Sequence, residues 1–180
     1  MSAPTPPAAP PPAAPPPAAA EAALVRYFSA ERAESVVFLF CAAAAAAASA
    51  GLVVLRSPFR AMAWPLLAVG LVQLVVGGTI LRRTPGQRAR LLRQVRASPA
   101  AYRSEETARM ARVQRSFVLY KRIEIGLLAL GLAFASIDAY GRTLYAIGMG
   151  LILEAGLMLA LDLRAERPGA RYLQTVKSLD

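Results

Sequence analysis

Four apolar stretches alternate with polar connections along this chain. Residues 35–55, 61–81, 117–137 and 143–161 each approach the roughly 20 residues with which an α-helix crosses hydrocarbon. The third is the least uniform. Its uninterrupted apolar core covers only 125–137, so Lys121 and Arg122 must extend to the interface for it to span. The pattern predicts an all-α integral membrane four-helix bundle, built as two transmembrane helical hairpins.

The connections differ in kind. Ser57 and Pro58 suit a helix start, as N-cap and first helical residue, and Gly141 suits a tight turn. Residues 86–116 are too patterned for plain loop. Leu91, Leu92 and Val95 lie among arginines, Ser98-Pro99 marks a break, and Met110, Val113 and Phe117 recur at i, i+3, i+7. A helical hairpin is expected there, with Glu105 and Arg109 as an i, i+4 pair. Thr84-Pro85-Gly86 predicts a helix end before it, and Pro168-Gly169 predicts the end of the last helix.

Before the first stretch, Leu24, Tyr27, Phe28 and Glu31 share a helical face over 21–34. Residues 1–20 hold nine of the fourteen prolines among alanines and read as an extended or disordered tail. Residues 21–167 then form the transmembrane domain, and 168–180 a short amphipathic tail containing Tyr172, Leu173 and Val176.

Charge orients this arrangement. The net charge is +10, and 18 of the 21 basic residues lie before the first stretch, from 82 to 122, or after the fourth. Arg56, Arg60 and Arg142 alone occupy the other two connections. Basic residues concentrate on the cytoplasmic side of membrane proteins, so both termini and the 86–116 segment are assigned to the cytoplasm. Phe59, Trp64, Tyr140 and Tyr145 would then form an outer aromatic belt. Nearly all basic residues are Arg, and Ala is abundant, a bias that suits a high-GC bacterial genome and hence a bacterial inner membrane. The charge sits beside membrane crossings and no binding motif accompanies it, so anionic lipid is the expected counterpart and nucleic acid is not.

Polar residues inside the stretches lie on small-residue faces. Gly70, Gln73 and Gly77 share one face of the second stretch; Ala146, Gly150 and Glu154 share one face of the fourth. Gln73 and Glu154 are similarly deep and are expected to meet across the bundle. The alanine run of the first stretch suggests a central, tightly packed helix. Arg32, Glu34, Arg122, Glu124 and Asp162 gather at the inner interface, where ion pairing would fix helix depth. The short resemblance between Arg32-Ala33-Glu34 and Arg122-Ile123-Glu124, each opening a hairpin, hints at a duplicated hairpin.

Chemistry is sparse. There is no His, and Cys41 is the single Cys, so intramolecular disulfides and His- or Cys-cluster zinc sites are excluded. No nucleophile elbow, phosphate-binding loop or metalloprotease motif occurs. No catalytic, metal or cofactor residue is assigned. The expected function is that of a non-enzymatic membrane scaffold, accessory or partner-binding subunit, or a homo-oligomer. It would act through Arg88, Arg90, Arg93, Arg96, Arg109 and Arg112. The alternatives are a small oligomeric transporter or channel subunit using Glu154, and a membrane immunity or stress protein.

Overall fold

The computed structural model describes residues 17–137 and 141–179. Within them the protein is all-helical, with four long helices and no strand. They are α1 (Pro17–Val54), α2 (Ala63–Ala97), α3 (Pro99–Ser136) and α4 (Gly141–Lys177). A single 3₁₀ turn, Arg60–Met62, precedes α2. The tail assigned to 1–20 falls outside the described residues up to position 16, and Tyr140 also falls outside them.

Helix length is the first finding. At about 1.5 Å per residue, helices of 35 to 38 residues measure roughly 52–57 Å, against about 30 Å of bilayer hydrocarbon. Each helix therefore has an apolar part and a surplus of several turns. All four surpluses lie at one end and pack together there. Ala20, Ala23, Leu24, Tyr27, Phe28, Leu91, Val95, Tyr102, Met110, Tyr172 and Val176 form a continuous buried core. This basic end is a helical head continuous with the apolar rods. At the opposite end, Phe59 and Tyr145 bring the α1–α2 turn beside the start of α4, their rings 6.3 Å apart.

Several expected helix ends are absent. α2 runs through Thr84-Pro85-Gly86, and α4 runs through Pro168-Gly169 to Lys177. Neighbouring helices override the local signals. Thr84 is buried against α1, its Oγ1 lying 2.8 Å from Ile80 O and 3.0 Å from Glu31 Oε2, with one proton to share. Gly169 serves packing rather than termination: an added Cβ would lie 3.0 Å from Gln114 Nε2 and 3.8 Å from Tyr27. Residues 168–177 are thus the last part of α4 rather than a separate piece. At its other edge, α1 already includes residues 17–20, which were expected in the tail. Ser98 does separate α2 from α3, and Pro99 opens α3.

The helices pair as α1 with α2 and α3 with α4. Small residues set both contacts. An added Cβ on Gly77 would meet Phe38 Cβ and Ser35 O at 3.0 Å; one on Gly148 would meet Gly131 O at 2.6 Å. Only one stripe of the alanine run takes part, namely Ala42, Ala45 and Ser49, whose hydroxyl donates to Ala45 O at 2.7 Å. Ala43, Ala44 and Ala46–Ala48 are exposed, so α1 is an outer rod and not a central one.

Three helical segments, Ala18–Val54, Arg60–Ala97 and Gly141–Lys177, are long and apolar enough to cross a membrane. α3 falls short because Lys121, Arg122 and Glu124 interrupt its apolar half.

Candidate functional site

Two polar clusters and one cleft lie along the axis of the four helices. Deepest in the apolar part, Gln73 Nε2 donates to Glu154 Oε2 at 2.9 Å. Gln73 is fully buried and Glu154 nearly so, and Gln73 Oε1 has no donor. The close approach of α1 to α2 at Gly70 and Gly77, and of α4 to α2 at Gly150, places these two side chains in one plane. With one bond made and one amide oxygen left over, the pair ties α2 to α4 with little polar capacity to spare.

In the head, a polar network sits inside the apolar core. Arg109 grips Glu106 with both arms of its guanidinium, Nη2–Oε1 at 2.6 Å and Nε–Oε2 at 2.8 Å. The guanidinium carbon lies 5.6 Å from the centres of the Tyr27 and Phe28 rings. Tyr27 stacks on Tyr172 at 4.6 Å, and the Tyr102 and Tyr172 hydroxyls are 2.7 Å apart. Burial pushes all three phenols up, Tyr102 to about 12. Burial opposes the Arg109 charge, yet the hydrogen bond and charge of Glu106 hold Arg109 protonated beyond the usual range.

Arg109, expected on a partner-binding surface beside Glu105, is therefore an internal residue joined to Glu106. Arg96 is exposed but pairs in bidentate fashion with Glu21 at 2.8 Å. Arg90, Arg93 and Arg112 are exposed and Arg88 is half-buried, with Arg82, Arg115, Arg167 and Arg171 also on the head surface. Tyr102, Glu106 and Tyr172 also belong to this network, beyond the residues the sequence reading assigns. Their signal was the i, i+4, i+8 spacing of Tyr102, Glu106 and Met110, which puts an acid on a core-facing stripe.

Between head and apolar part lies a cleft of about 880 Å³, lined by residues of all four helices. Of the charges expected to pair at this depth, Arg32 and Arg122 point outward, while Glu124 and Asp162 are each 5% exposed. Glu34 is half-buried on the same cleft. The ion pair formed here is instead Lys121 Nζ–Glu166 Oε2 at 2.7 Å. No group of three metal-ligating side chains occurs among the described residues. No protein-family model, curated protein or solved structure matches this chain.

Proposed function

We propose that this chain is a non-enzymatic, four-crossing protein of a bacterial inner membrane, with both termini in the cytoplasm. Its rigid basic head is a docking platform for an acidic protein partner. The observation that carries this reading is the head itself. Four helical surpluses, about 25 Å long each, are locked into one cored body whose surface displays Arg82, Arg90, Arg93, Arg112, Arg115, Arg167 and Arg171. A flexible basic loop would suffice for anionic lipid. A cored body holding its arginines in fixed positions suits a shaped, acidic protein surface.

Neighbours as well as hydropathy support the four-crossing reading. The apolar end of α3 lies on α4 through Gly131 and Gly148, and α4 lies on the start of α2 through Gly150 and Pro65. That puts the α3 segment 125–136 at the depth of the other three rods. Lys121 and Arg122 then sit at its inner edge, where long basic side chains reach the interface.

The topology is tested with single cysteines in a Cys41→Ala background. Ser98→Cys and Ser178→Cys should react only from the cytoplasmic side, and Thr143→Cys only from outside. Labelling of Ser98→Cys from outside overturns the orientation. For docking, the Arg90→Ala/Arg93→Ala/Arg112→Ala variant should insert normally and lose its cross-linked partner; undiminished cross-linking refutes the platform.

A further inference from the structure

The cleft between head and apolar part has an unusual balance of groups. Its walls are mostly apolar, with Val72, Val76, Ile80, Phe117, Ile123 and Leu127 among them. Its basic residues are largely engaged or outward. Arg83 lies 3.6 Å from Glu31, Arg109 is held by Glu106, and Arg112 is exposed. Its acids face one another rather than a base: the Glu124 and Asp162 carboxyls lie within hydrogen-bonding reach of each other. Glu124 Oε2 and Asp162 Oδ2 are both buried and have no other hydrogen-bond partner, on side chains 95% removed from solvent. Lys121 is near both carboxyls, but its ammonium is already bound to Glu166. Glu34 adds a third carboxyl on the opposing helix, with Glu31, Arg164 and Asp162 as its charged neighbours.

Two buried carboxyls face to face hold together only if they share a proton or if something else supplies positive charge between them. A metal ion is a poor candidate, since no third ligand converges among the described residues. The cleft volume suits a small organic molecule, and a mostly apolar wall with a few convergent polar groups is the usual make-up of such a site. On the four-crossing reading its mouth also faces lipid. α2 touches α3 far less than it touches α1, and Val72, Val75, Tyr120 and Ile123 along that seam are exposed.

We propose that this cleft binds an amphiphilic organic cation, a protonated amine on an apolar body, entering sideways from the inner leaflet. The ammonium donates to Glu124 Oε2 and Asp162 Oδ2, with Glu34 supplying further negative charge. The apolar body lies along Val72, Val76 and Phe117. An amphiphilic amine concentrates at this depth of the bilayer, with its charge at the headgroups and its body in hydrocarbon, so the cleft samples it where it is most abundant.

The test uses full-length protein in nanodiscs of phosphatidylcholine, which has no net charge to hold the probe. The probe is dansylcadaverine, a fluorescent primary amine, with its neutral N-acetyl derivative as control. Saturable binding is expected above that of empty nanodiscs, with the acetylated probe at least tenfold weaker. Glu124→Gln/Asp162→Asn should weaken the amine at least tenfold and leave the neutral probe unchanged. Val76→Trp, which fills the cleft and spares both carboxyls, should block the amine and serves if the double variant does not fold. Equal binding of amine and acetylated probe overturns the site, as does full amine affinity in either variant. Carboxyls that merely bond to each other would give that last result. None of the variants read here alters an arginine of the head, so failure here leaves the docking platform standing.

Discussion

Arg109→Leu is the sharpest perturbation of the head. It leaves Glu106, 1% exposed at its side chain, as a buried carboxylate without its bidentate partner. Removing one member of a buried ion pair costs about 3–5 kcal/mol, because the survivor keeps its desolvation penalty without compensation. Glu106→Leu should sit at the lower end of that range. The Arg109 side chain retains 15% exposure and the faces of Tyr27 and Phe28, so its charge has somewhere to go. The double variant should recover most of the loss, since a buried pair is worth little against a well-packed apolar replacement. Amide hydrogen exchange over 91–110 reads the effect. At about 1.4 kcal/mol per decade, Arg109→Leu should accelerate exchange by two to nearly four decades, with the double variant near wild type. An exposed Arg109 would give changes within about 0.5 kcal/mol, as surface substitutions do. Less than a threefold acceleration in Arg109→Leu therefore refutes the internal assignment.

Gly148→Ala places a Cβ 2.6 Å from Gly131 O and 2.7 Å from Ala135 N, both backbone atoms that cannot turn aside. A cost of at least about 1–3 kcal/mol is expected from overpacking, read as a lower midpoint of SDS-induced unfolding; an unchanged midpoint contradicts the helix contact. Gln73→Leu removes the donor to Glu154 and should cost about 0.6 kcal/mol and no more than about 1.7, with Glu154→Gln closer to wild type. If Glu154→Gln is the more damaging of the two, the pair does more than tie helices. Raising pH should loosen the head, because burial holds Tyr102 at about 12 against 10 for a free phenol. Its contribution, at most about 3 kcal/mol, is whole below pH 10 and fades as pH climbs through 12. Exchange of head amides that stays flat from pH 8 to 12, after correction for intrinsic rates, counts against it.

The sequence carried the helices, the Ser98 break and the small-residue faces, because each depends on local chemistry. Periodicity placed Gly70, Gln73 and Gly77 on one face, and the structure lays that face on Ser35, Phe38, Ala42 and Ala45. Prolines were the main source of error. Pro85 and Pro168 read as stops because proline forfeits one backbone bond and strains the preceding turn by about 3 kcal/mol. A helix clamped by neighbours along 35 or more residues absorbs that loss. Arginine was the second. A run such as Arg103–Arg115 looks uniformly solvated, and nothing in composition marks Arg109 as the one facing inward. Only the buried acid three residues earlier does so, and Glu106 becomes visible as buried only once Tyr102 and Met110 are seen to share its stripe.

The duplicated-hairpin pattern gains a physical sense from the cleft. Glu34 stands at the head-side edge of α1's apolar part, and Glu124 at the same point of α3, one in each hairpin-opening helix. Packing is dense within each hairpin and dense again in the head, where four helices share one core. Between those regions α2 has little contact with α3, and the cleft occupies the gap. A glutamate at matching height on each hairpin thus faces the seam where the two hairpins part. Arg32 and Arg122 stand two residues before these acids, a spacing that sets each arginine on the opposite face of its helix. Both arginines therefore point outward while the acids turn to the cleft. With bases outward and acids inward, the proposed docking surface and the proposed cation cleft draw on opposite faces of the same helices.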